Sequence, residues 1–210
     1  MNLATRMSRL GTETAFEVLA KAKALEKQGK HVIHLEIGEP DFDTPGNIIK
    51  AAVDALHQGF THYNPAPGFP EVREAIIAEI NKTRKLNLTA DNVVVTPGAK
   101  PIMFFVIMAL IEKGDEAIYP NPGFPIYESV INFSGGKAVP LPLLEENDFG
   151  FDLDYFESLV TDKTKLIIIN SPHNPTGGVL TKEQLQRIAE IATKRGIWVL
   201  ADEIYSRTLY

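Results

Sequence analysis

A chain of 210 residues, 44% hydrophobic and 23% charged, has the composition of a globular protein large enough to bury a substantial core, which excludes a disordered polypeptide. The formal net charge is −6 and no basic run interrupts the sequence, which argues against nucleic acid and anionic membrane surfaces as partners. The absence of cysteine excludes disulfides, thiolate nucleophiles and Cys-ligated metals.

The N-terminal stretch has basic residues but no apolar core before a cleavage site, so it does not read as a signal peptide, and a cytoplasmic protein is expected. The first helix is predicted at about Thr12 to Gln28, where Phe16, Leu19, Ala20 and Ala24 recur near helical spacing. His31 to Ile37 reads as a short alternating strand, and the following GEPDFDTPG, dense in Pro, Gly and Asp, places a boundary near Thr44. Residues 1–44 are thus expected to form an N-terminal arm and residues 45–210 a larger domain. Helices are predicted at about Asn47 to Gln58 and Glu71 to Lys85, with the loop THYNPAPGFP between them.

Strands and helices then alternate. Asn92 to Thr96 is a β-branched run, and Lys100 to Glu112 a helix whose Pro101 is tolerable in the first turn. The longest apolar run, Ile102 to Ile111, is far short of the ~20 residues that span a bilayer and reads as a buried helix. Further strands are predicted at Ala117 to Tyr119, Lys137 to Leu141, Leu166 to Asn170 and Trp198 to Ala201. Helices are predicted at Ile126 to Phe133, Leu153 to Val160 and Thr181 to Arg195, the last with Thr181 and Gln184 in capping-box register. The order implies an α/β fold: a doubly wound, mainly parallel sheet with helices on both faces, preceded by a helical arm.

Ligands in such sheets bind beyond the carboxyl ends of the strands, which directs attention to the loops after Thr96, Tyr119, Asn170 and Ala201. The PGAK turn would offer backbone amides at Gly98, Ala99 and Lys100 to an anion at a helix start; alternatively it is an ordinary strand-to-helix turn. In SPHNPTGG, prolines on either side of Asn174 stiffen the chain and let its amide be aimed, or simply build a turn in which His173 is an exposed polar residue. Asp202 closes an apolar strand, where a carboxylate needs a cation or donors, and Tyr205 follows three residues later. No GxGxxG or Walker loop is present. A carboxylate, a phenol and an amide converging with a phosphate cradle suit a phosphorylated heteroaromatic ring.

With LEIGEPDF, HYNPAPGFPEVREAI, VVVTPGAK, YPNPGFPIY, SPHNPTGGVLTKEQL and ADEIY in that order, the sequence resembles the class I/II aminotransferases, fold type I enzymes that use pyridoxal 5'-phosphate. The resemblance implies that Asp202 pairs with the ring nitrogen, keeping the ring an electron sink, while Tyr205 and Asn174 hydrogen-bond its phenolic oxygen. It implies that Phe124 stacks on the ring and that Gly98, Ala99 and Lys100 cradle the phosphate. Tyr63 would reach the phosphate of the other subunit of a homodimer, and Gly38 would line the substrate carboxylate side. Residues 1–44 would then include part of the small domain, and 45–210 part of the large cofactor-binding domain.

Two features depart from the family pattern. Ala99 and Pro101 stand where hydroxyl and other polar residues are common, and Lys100 could serve the phosphate, the substrate side or only solvent. The family's Schiff-base lysine lies well beyond the tyrosine matched by Tyr205, so none of the lysines here takes its place, and the resemblance implies an N-terminal portion with no catalytic residue of its own. The expected activity of the whole protein is transfer of an amino group between an amino acid and a 2-oxo acid, with aspartate-like specificity; a β-eliminating lyase or a non-catalytic fragment are the alternatives. The family's first sheet strand, matched by Asn92 to Thr96, would lack a neighbour. Asn121-Pro122 and Asn174-Pro175 are expected to be cis, as the family turns both loops toward the cofactor this way.

Overall fold

The computed structural model describes residues 2–11 and 14–209, so the start of the first predicted helix, at Thr12, lies outside the described residues. The chain forms two compact units, Thr14–Pro97 and a second unit made of residues 2–11 and 98–209.

The Thr14–Pro97 unit carries three helices, α1 (Thr14–Glu26), α2 (Gly46–His57) and α3 (Pro70–Arg84). Pro70 opens α3, where its missing amide would have been unpaired in any case. The chain after α3 is held by side chains on that helix. Arg73 donates from Nε to the Val93 carbonyl at 3.0 Å and from Nη2 to the Ala90 carbonyl at 2.6 Å. Asn81 pairs reciprocally with the backbone of Leu88, both bonds at 2.9 Å.

Two predicted strands are absent from this unit. His31 to Ile37 forms no ladder; Ile33 and Leu35 are exposed, and the segment is tied through the His34 side chain, which bridges Glu26 at 2.9 Å and Glu36 at 2.6 Å. In the Asn92 to Thr96 run, Ala90–Asn92 is a 3-10 turn, Val93 is extended, and none of the valines enters a sheet. Val95 makes its backbone bond to the Pro67 carbonyl, at 2.9 Å. β-branched residues favour the extended conformation, but a strand also needs a partner ladder, and none is supplied here.

The second unit is built on a four-stranded sheet, β1 (Glu116–Asn121), β2 (Lys137–Pro142), β3 (Thr164–Asn170) and β4 (Trp198–Asp202), in the order β2-β1-β3-β4. Every pairing is parallel. The helices α4 (Lys100–Leu110) and α5 (Ile126–Ser134) cover one face, and α6 (Leu153–Leu159) and α7 (Lys182–Arg195) the other. The two cores divide along the period-2 alternation of the strands. Ala117, Tyr119, Leu166 and Ile168 pack with Ile107, Tyr127 and Ile131, whereas Ile118 and Ile167 pack with Phe156, Ile188 and Ile191. The all-apolar LIIIN run is therefore a central strand buried on both sides.

The doubly wound α/β reading holds, and α7 starts with the expected capping box of Thr181 and Gln184. The apolar helix α4 is only half buried: Met103 and Ile107 enter the core, but Phe104, Phe105 and Met108 are exposed. A helix apolar all round has more such surface than one sheet face can cover. Among the described residues no helix is long and apolar enough to cross a membrane.

Candidate functional site

Because the strands are parallel, β1, β3 and β4 end at the same edge of the sheet, at Asn121, Asn170 and Asp202. That edge is where a doubly wound sheet leaves space for a ligand.

Asp202, the last residue of β4, is half-buried. Its Oδ2 accepts a hydrogen bond from the Tyr127 hydroxyl at 2.6 Å, and its Oδ1 accepts the Ile204 amide at 3.3 Å. Tyr127 lies on α5, fully buried, with its ring edge-on to Phe124 at a centroid distance of 5.9 Å. Burial, together with the Asp202 carboxylate, pushes the Tyr127 phenol well above its ordinary range, so it remains a neutral donor.

The loop after β3 is compact and internally bonded. The His173 amide donates to the Gly178 carbonyl at 2.9 Å, and the Gly177 amide returns to the His173 carbonyl at 2.8 Å. His173 is buried, contrary to the reading of it as an exposed polar residue: its Nδ1 meets Thr176 Oγ1 at 2.9 Å and its Nε2 has no partner. Burial holds its imidazole below the ordinary range, against the opposing pull of the Asp202 charge. Asn121-Pro122 and Asn174-Pro175 are cis as expected, and Ser171-Pro172 is cis as well.

A cavity of about 570 Å³ opens here, lined by Pro172, His173, Asn174, Pro175, Tyr205 and Thr208 among others. Asn174 is half-buried and Tyr205 stands at the exposed rim. Phe124 comes from the loop after β1, which has a strict backbone requirement: a Cβ on Gly123 would lie 2.1 Å from the Pro120 carbonyl oxygen. The Lys100 ammonium lies 5.9 Å from the centre of the Phe124 ring, a cation–π contact. Gly98 has φ +91°, a conformation suited to glycine, and turns the chain into α4, whose N-cap is Ala99 with no capping side chain. The turn is a strand-to-helix turn in sequence only, since what precedes it is not a strand.

The second unit thus contains Gly98, Ala99, Lys100, Phe124, Asn174, Asp202 and Tyr205. Tyr63 and Gly38 belong to the Thr14–Pro97 unit, where Tyr63 is fully exposed and Gly38 has open space around its Cα. Sequence reasoning passed over Tyr127 and Asn170. The signal for Asn170 was the one that singled out Asp202, a polar residue closing an apolar strand; Tyr127 lay inside the NPGFPIY motif, three residues past Phe124.

The donor set fits pyridoxal phosphate. A carboxylate held by neutral donors suits a protonated ring nitrogen, an amide and a phenol suit a phenolic oxygen, and an uncapped helix start suits a phosphate. His173 also lines the cavity, and its buried Nε2 is left without a hydrogen-bond partner.

Comparison with known proteins gives the same direction. The chain is 42% identical over 208 residues to a probable aspartate/prephenate aminotransferase of Aquifex aeolicus, covering 99% of this chain and 53% of that protein. It is 39% identical to an aspartate aminotransferase of a Bacillus species, again over 99% of this chain and 53% of the relative. An aspartate aminotransferase of Thermus thermophilus, solved with maleate, superposes with a TM-score of 0.96 at 37% identity, over 100% of this chain and 55% of that one. The chain therefore spans about half the length of the curated relatives it matches. Residues 30–210 match the model of the family described as aminotransferase class I and II, and with the fold in agreement, the chain belongs to the class I and II aminotransferases.

Proposed function

We propose that the protein carrying this chain moves an amino group between an amino acid and a 2-oxo acid, with pyridoxal 5'-phosphate as cofactor. The observation that carries the reading is the hydrogen-bonded carboxylate of Asp202 at the strand-end edge, with the Asn170 side chain joining the Asp202 backbone to that of Asn174, and with Asn174 and Tyr205 lining one cavity. When bound, the cofactor supplies an electron sink for the carbon from which the proton leaves.

In this reading Asp202 carries the charge that keeps a ring nitrogen protonated, and the Tyr127 hydroxyl and the Ile204 amide, one on each carboxylate oxygen, hold it in place. Asn174 and Tyr205 orient the ring through its phenolic oxygen, Phe124 covers one face, and Gly98, Ala99 and Lys100 receive the phosphate. Tyr63 serves the phosphate of a second subunit in a homodimer, Gly38 lines the substrate carboxylate side, and the enzyme is cytoplasmic. The same reading takes residues 1–44 as the arm with part of a small domain and 45–210 as part of the cofactor domain. An aspartate-like amino donor is favoured because the relatives from Aquifex aeolicus and Bacillus are both named for aspartate.

The test is an assay of the purified protein with pyridoxal phosphate, L-aspartate and a 2-oxo acid acceptor. A new amino acid formed in step with the donor's 2-oxo acid is expected. Asp202→Ala should slow it about 100-fold or more, the scale of losing a preorganised electrostatic partner. Ammonia release in place of a new amino acid would establish the lyase reading instead, and no reaction with any amino donor would overturn the assignment.

A further inference from the structure

We propose that Asn170 is a positioning residue that locks the Asp202 and Asn174 backbones to one another and so sets the spacing of the two groups that hold the ring. The inference rests on the cofactor reading above and deepens it.

Asn170 is the last residue of β3 and is 4% exposed. Its side chain reaches three backbone groups on two different segments. Nδ2 donates to the Asp202 carbonyl at 2.9 Å and to the Pro172 carbonyl at 3.1 Å, and Oδ1 accepts the Asn174 amide at 2.8 Å. The strand register already places Asn170 beside Asp202, and the Ser171 amide adds a bond to the Asp202 carbonyl at 3.3 Å. An asparagine amide has two donors and an acceptor in one plane, and here all three functions are used.

The chemistry of this pattern is specific to an amide. Aspartate has the same shape, but it would set a charged oxygen against the carbonyls of Asp202 and Pro172, turning two attractions into two repulsions. Serine or alanine would leave the Asn174 amide and both carbonyls without these partners at a buried position. Among the described residues β4 is an edge strand, with Trp198 and Val199 exposed, so the strand beside it is β3 alone. The Asn170 side chain, together with the Ser171 amide, ties the carboxyl end of β4 to the loop bearing Asn174.

The test measures the pyridoxal phosphate dissociation constant of the protein as made from its own gene, by equilibrium dialysis, with secondary structure and melting temperature recorded alongside. Asn170→Ala and Asn170→Ser should each bind the cofactor about tenfold or more weakly while folding as the wild type does. Asn170→Asp should be at least as weak. The same substitutions are then placed in an Asp202→Asn, Asn174→Ala background. If Asn170 works through those two residues, Asn170→Ala adds less than about twofold there, since coupled residues are non-additive. Unchanged affinity in folded Asn170→Ala and Asn170→Ser, or a full additive loss in the double background, would overturn the proposal while leaving the cofactor assignment standing. A wild-type protein that takes up no cofactor would overturn both.

Discussion

Tyr127 and Asp202 form a pair whose value depends on asymmetry. Tyr127→Phe removes the donor and leaves the Asp202 Oδ2 short of a partner in a half-buried place, which should cost about 1–3 kcal/mol in unfolding free energy. The two best-defined histidines titrate with opposite signs. His34 is exposed and its pKa is raised by Glu26 and then Glu36, so its stabilising contribution is fully present below the unfolded value of 6.5 and is lost as pH rises through the higher folded value. His173 is held low by burial, so its contribution is present above 6.5 and is lost as pH falls toward the folded value. Urea titrations across pH should show the acid-side loss diminished in His173→Gln and the alkaline-side loss diminished in His34→Gln. The residues that Asp202 and Asn174 represent were legible in the sequence, because a carboxylate ending an apolar strand and an amide between prolines are chemically costly or stiff. The burial of His173 was not, since the loop that covers it closes through backbone bonds among His173, Gly177 and Gly178 that no local pattern announces.

At the scale of elements, local chemistry decided most boundaries. The Thr181 hydroxyl accepts the Gln184 amide at 3.1 Å and Gln184 Oε1 accepts the Thr181 amide at 2.9 Å, so Thr181→Ala should cost about 1 kcal/mol of stability, measured by denaturant unfolding. Phe156 is fully buried under the sheet and touches Phe151 at a centroid distance of 5.4 Å, so Phe156→Ala should cost about 3–5 kcal/mol. Gly123→Ala would drive a methyl against the Pro120 carbonyl and must rearrange the loop that presents Phe124, so cofactor affinity should fall together with stability. Helices and central strands were readable because their periodicity is local and strong. The two strands predicted at His31 to Ile37 and Asn92 to Thr96 do not form, for a different reason: pairing is a property of neighbours, and β propensity cannot supply them.

Across the whole molecule, the sheet is two-sided and well filled, yet large apolar side chains remain exposed at α4 and at β4. Phe105 is 61% and Trp198 65% exposed. Isolated proteins seldom carry such surfaces without a use for them, and the chain spans about half the length of its curated relatives. Residues 1–210 produced alone are therefore expected to bind an apolar dye and to self-associate in sedimentation experiments; a monomer that unfolds in one cooperative step with no dye binding would contradict this. The doubly wound class followed from the alternation of strands and helices, whereas strand order and the division at Pro97 depend on long-range packing that the sequence does not display.

We propose that the strand-end residues form a pyridoxal phosphate site governed by Asp202. Visible absorbance of the protein after gel filtration with pyridoxal phosphate tests it most directly, with wild type and Asp202→Ala side by side. A cofactor band that co-elutes with the wild type and is lost or strongly reduced in the variant is the predicted result. A wild type that emerges without the band, or a variant that retains it undiminished, would contradict the account.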